Sequence, residues 1–150
     1  MEELLNFYQS TANIGTSGQP SAAQIAQIAS EGYASVINLA VADSDNAIAE
    51  EGSLVTSTGM SYFHIPVPFE APTPAHLKTF FGLMALLENE KVFVHCAVNA
   101  RVSAFMYQYL TLKKGLEPEQ ATSPLLKLWL PKMDDAWKSI LALSLGEIEG

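Results

Sequence analysis

The chain has 150 residues, 49% of them hydrophobic, which suits one domain with a full core. Sixteen acidic residues against eight basic ones give a net charge of -8, which argues against nucleic acid as a partner and against polyanionic substrates. No run of eighteen apolar residues signals a membrane span, and the acidic start Met1-Glu2-Glu3 does not read as a secretory signal.

In chain order, Leu4 to Gln9 reads as a short helix or lead-in, and Asn13 to Gly18 as an edge strand ending in a turn. Ser21 or Pro20 then opens a helix with Ile25, Ile28 and Ala29 as its buried stripe and Gly32 as its stop. The β-branched run Ala34 to Leu39 predicts a buried strand. Asp43 to Asn46 is loop chemistry, Ala47 to Thr58 a helix closed by Gly59, and Ser61 to Val67 the next strand. Thr73 as cap and Pro74 in the first turn begin a long helix whose apolar face carries Leu77, Phe80, Phe81, Met84 and Leu87. Val92 to His95 is a strand, Arg101 to Lys114 a helix. The tail predicts one helix from Pro118 to about Leu130 and another after Pro131, with Asp134 and Asp135 in its first turn.

Strands alternating with helices predict an α/β fold: a mainly parallel sheet with helices on both faces, over a single domain spanning 1–150. Ligands of such sheets bind beyond the carboxyl ends of the strands. The turn Cys96-Ala97-Val98-Asn99-Ala100-Arg101 lies there, and it holds the one cysteine and the one arginine of the chain. A single cysteine excludes an internal disulfide and points to a reducing, cytoplasmic setting. Its thiolate is favoured by a neighbouring guanidinium and a helix start. The unpaired amides of a strand-to-helix turn form an anion nest, and Arg101 can grip two oxygens at once. A nucleophile and an anion cradle thus come from one loop.

Other candidates read more simply. His64 reads as a structural or hydrogen-bonding residue and His76 as solvated at a helix start. The three histidines are too dispersed for a metal site, and no cofactor is called for. Tyr107, Tyr109, Trp129 and Trp137 read as core or groove wall, and nothing in the sequence sets an oligomeric state.

The His95-Cys96 pair followed by a turn and Arg101 resembles the cysteine-dependent protein tyrosine and dual-specificity phosphatases. Gly18-Gln19-Pro20, Val36 to Leu39, Glu50-Glu51, Gly59 and Tyr62 to Val67 follow in the order of bacterial phosphatase-like domains. The resemblance covers roughly residues 13 to 114. It implies a dual-specificity-phosphatase-like fold, a small phosphorylated substrate and a phosphocysteine formed on Cys96. Arg101, Ser103 and the amides of Ala97, Val98, Asn99 and Ala100 would hold the anion, and His95 would orient the loop. The family's general acid follows the strand that ends here at Pro66-Val67, where Glu70 is the nearest carboxylate; Asp43 and Asp45 are the alternatives. The family places five residues between Cys and Arg, and this chain has four. That shorter loop also resembles the rhodanese-type sulfurtransferases, which implies a Cys96 persulfide and a sulfane-sulfur substrate. The shortened cradle leaves a third reading, a catalytically silent anion-binding module.

Overall fold

The computed structural model describes residues 3–150. Five short strands form one sheet: β1 (Tyr8–Thr11), β2 (Ile14–Ser17), β3 (Ser35–Asn38), β4 (Ser61–His64) and β5 (Val92–His95). Their order is β1-β2-β5-β3-β4. β1 pairs antiparallel with β2, and all other neighbours are parallel. Such a mixed, mostly parallel sheet flanked by helices is the architecture expected above.

The first two elements differ from expectation. Residues 8–11 form a strand rather than a helix, and β1 takes the sheet edge, so β2 lies inside, between β1 and β5. The segment Tyr-Gln-Ser-Thr has no apolar run to announce a strand. Its hydrogen-bonding partner β2 follows after a two-residue turn and zips it on.

Alternation along the strands divides the core in two. Val36 and Phe93 point to one face, beneath Ile25 and Ile28 of α1 (Ala22–Ser30) and Val55 of α2 (Glu51–Ser57). Ile37, Val92 and Val94 point to the other. There they meet Leu77, Phe80, Phe81 and Met84 of α3 (Pro74–Leu86), Phe105 of α4 (Ala100–Gln108), and the tail helices. Ser21 caps α1 through a capping box with Gln24. Thr73 caps α3 in the same way with His76, whose Nδ1 accepts from the Thr73 N–H at 3.1 Å. His76 is therefore half-buried and engaged, not simply solvated.

Helix boundaries moved where local chemistry intervenes. α2 starts at Glu51, because Glu50 holds the left-handed conformation (φ 56°). α4 passes at Tyr109–Lys113 into a π-helical turn before Gly115. The single tail helix expected from Pro118 is two, α5 (Pro118–Ala121) and α6 (Pro124–Trp129). Pro124 forces the residue before it out of the helical region, and Ser123, extended at ψ 162°, caps α6 instead. After a 3₁₀ turn at Leu130–Lys132, α7 (Asp135–Ala142) starts from an Asp134 cap, and α8 (Leu145–Glu149) ends the chain. Among the described residues no helix is long and apolar enough to cross a membrane.

Candidate active site

The central strand β5 ends at His95, and the next four residues curl into α4. The curl is held from outside by its carbonyls. Ala97 O accepts from the Gln19 N–H at 3.0 Å and from Asn46 Nδ2 at 2.9 Å. Val98 O accepts from Asn6 Nδ2 at 2.9 Å. Cys96 O faces His95 Nδ1 at 3.1 Å. Asn99 sits at the bend with φ 73°, a left-handed conformation that asparagine tolerates, and its Nδ2 donates back to Asn6 O at 2.8 Å. With the carbonyls turned outward, the amides face inward. Among the described residues, none of the N–H groups of residues 97–102 has an acceptor. Six donors without an acceptor thus stand at a helix start, where the positive end of the helix dipole also lies.

Gly18 makes this closeness possible. A Cβ there would lie 2.6 Å from Ala97 O and 3.0 Å from Val98 Cα.

Cys96 lies at the floor of the curl, fully buried, and its N–H donates to Ser17 O at 3.3 Å. Arg101 is also buried. Its Nη1 donates to Val67 O at 2.8 Å, its guanidinium carbon is 5.8 Å from the Phe69 ring centre, and its Nε is shielded without a partner. The loops after β3, β4 and β5 enclose a cleft of about 440 Å³ in which Arg101, Ala97 and Val98 meet Ser44, Asp45, Phe69 and Glu70. Cys96 is not itself part of the cleft wall. Of the sequence-derived candidates, the structure thus gathers Ala97, Val98, Arg101 and Glu70 on one cleft; Cys96 packs into the apolar core, and Asn99 is buried with its side chain bonded to Asn6. Glu70 is exposed, and Asp45 stands in the same wall. Ser103 is turned into its own helix, its hydroxyl donating to Ala100 O at 2.6 Å. His64 donates from Nε2 to Ala40 O at 2.6 Å and so belongs to the β3 loop, as its structural reading implied.

A buried polar chain lies behind the Cys96 loop and was not read as such from the sequence. His95 Nε2 meets Glu51 Oε2 at 2.5 Å, and Gln19 Nε2 donates to Glu51 Oε1 at 2.8 Å. Both ring nitrogens of His95 face oxygen atoms, so the Cys96 carbonyl and Glu51 hold the ring from either side. Burial works against the Glu51 charge. The hydrogen bond and charge of His95 and the Gln19 amide outweigh it, and hold the carboxyl below its ordinary range. The only sequence signal was an acidic pair, Glu50-Glu51, within the helix expected over Ala47 to Thr58. A carboxyl whose folded value is depressed stabilises the fold above its unfolded value, and that contribution vanishes as pH falls through the folded value. The melting-temperature gap between wild type and Glu51→Gln is therefore expected to be widest near neutrality. It should close as pH drops below about 4. Thermal melts at stepped pH check it; a gap constant with pH would refute the ionised Glu51 carboxylate.

Among the described residues no three His, Cys, Asp or Glu side chains gather as a metal-binding group.

A mostly parallel five-stranded sheet, with a His-Cys pair at the end of its central strand and an amide nest around it, defines a phosphatase-like protein of the dual-specificity type. The chain belongs to the family described as "DSP-PTPase phosphatase fused to NAD+ Kinase", which matches residues 4–129. It is 32% identical to a Shewanella putrefaciens protein described as "Putative phosphatase (DUF442)", covering 93% of this chain and 91% of that one at a TM-score of 0.84. Tk-PTP in its active form shares the fold at 18% identity, 95% coverage of both chains and a TM-score of 0.71. Pseudomonas aeruginosa TpbA, solved with pTyr, shares it at 15% identity, with 97% of this chain and 88% of that one covered and a TM-score of 0.72. No curated protein matches the chain.

Proposed function

We propose that this protein is a cysteine-dependent phosphoric monoester hydrolase acting on a small phosphorylated substrate in a reducing, cytoplasmic setting. The observation that carries the reading is the ring of six acceptor-free amides over Cys96, closed by Arg101. The non-bridging oxygens of the phosphoryl group take the amides of residues 97–102 and the free Arg101 Nε–H. The Cys96 thiolate attacks phosphorus, a phosphocysteine forms, and the ester oxygen leaves with a proton from Glu70. Water, deprotonated by the same carboxylate, then attacks phosphorus and releases phosphate and the thiolate. His95, fixed by Glu51, holds the Cys96 carbonyl outward so that the next amides point inward. Cys96 itself is fully buried beside the loop.

The four-residue spacing between Cys96 and Arg101 favours a second reading. A sulfurtransferase takes a sulfane sulfur on the thiolate and passes it to a thiophilic acceptor, with no need of a general acid. No hydrogen bond ties Glu70 to the cradle among the described residues, which suits that chemistry.

Two assays on one sample separate the readings. A phosphatase is expected to release phenolate from an aryl phosphate and to give no thiocyanate from thiosulfate and cyanide. The reverse result would replace the hydrolase reading by the sulfurtransferase one. Silence in both, with tungstate still bound, would leave an anion-binding module.

A further inference from the structure

The cleft holds a second donor with nothing to bind. Ser44 lines it, and the Ser44 hydroxyl oxygen is shielded from solvent without any hydrogen-bond partner. A shielded hydroxyl left unpaired is unfavourable, and native structures rarely keep one without a reason. Two residues that line this cleft each carry such a shielded, unpaired donor, Ser44 at Oγ and Arg101 at Nε. One ligand with several acceptor oxygens satisfies both, whereas a neutral or cationic ligand head does not.

The loop that carries Ser44 is built to stay in place. Ser44 N–H donates to Val41 O at 3.2 Å, and Ser44 O accepts from the Ala47 N–H at 3.0 Å. Asn46, two residues on, is tied to Ala97 O of the nucleophile loop. The backbone and Asn46 thus fix the position, and the Ser44 side chain contributes nothing to holding it.

We propose that Ser44 is a substrate-binding residue, its hydroxyl donating to an oxygen of the tetrahedral oxyanion held over Cys96. This rests on the cradle reading of the Cys96–Arg101 loop. It adds to the short loop a donor from the loop after β3, replacing the amide lost with the missing residue. The neighbouring Asp45 and Glu70 leave the cleft rim acidic, so the group recognised is a single oxyanion on an uncharged or cationic body.

The test is tungstate binding to the full-length protein, measured by calorimetry, with thermal melts in the absence of anion. Ser44→Ala removes no hydrogen bond the protein makes with itself. Tungstate affinity is expected to fall roughly tenfold, with the anion-free melting temperature unchanged or higher. Undiminished affinity in Ser44→Ala would overturn the assignment while leaving the cradle intact. A lowered anion-free melting temperature would show a structural hydroxyl and also overturn it. Failure of the wild-type protein itself to bind tungstate would bring down the cradle reading, and this one with it.

Discussion

Cys96→Ser is expected to abolish aryl-phosphate hydrolysis, lowering kcat on the order of 10³-fold or more, while tungstate still binds. Serine has almost the shape of cysteine, so the loop keeps its course. Its hydroxyl stays protonated where a thiol can ionise, so the nucleophile is lost and the cradle is not. The separation follows from the geometry. The six free amides and Arg101 are set by hydrogen bonds with Gln19, Asn46, Asn6 and Val67, none of which uses the sulfur as a partner. Phosphate release from the purified variant, with tungstate calorimetry on the same sample, checks both halves. Hydrolysis that survives the substitution would remove Cys96 from the mechanism.

The second large effect lies outside the cleft. Trp137 of α7 is fully buried among Phe69, Phe105 and Trp129, and its Nε1 donates to Phe69 O at 2.6 Å. Trp137→Ala removes that packing and that bond together. A loss of about 3–5 kcal/mol is expected, roughly 6–20 °C in melting temperature for a chain of this size. Trp137→Phe separates the two contributions. It keeps most of the ring contacts and drops the hydrogen bond to the loop that carries Phe69 and Glu70. Its stability loss should be smaller, while hydrolysis falls with the loosened cleft wall. Melting curves and phosphate release on both variants decide it; full activity in Trp137→Phe would show that the wall needs no such tether.

The sequence revealed what local chemistry encodes. The β-branched run at Val36-Ile37 and the apolar run at Val92 to Val94 could only be buried strands, and Ser21, Thr73 and Asp134 announced helix starts that the structure keeps. The pairing of one sulfur with one guanidinium on a strand-to-helix turn was equally open to view. What escaped were contacts between distant segments. Tyr8–Thr11 carries no strand pattern of its own and becomes a strand because β2 folds back on it. Glu51 stood out only as half of an acidic pair inside the helix expected over Ala47 to Thr58, since nothing local shows that His95, 44 positions on, closes over it. The asparagines that pin the nucleophile loop look like ordinary turn residues until the fold brings them to its carbonyls. Within the tail, a single run of helical periodicity hid the break that Pro124 imposes.

The Asn6 side chain bridges to Val98 across 92 positions of chain, and Asn99 answers by donating back to Asn6. A brace of that span cannot form early. During synthesis the first half of the clasp emerges and waits until most of the molecule exists before its counterpart appears. On the proposed reading, oxyanion affinity is expected only of the finished chain, and partly assembled chains are expected to be inert rather than weakly active.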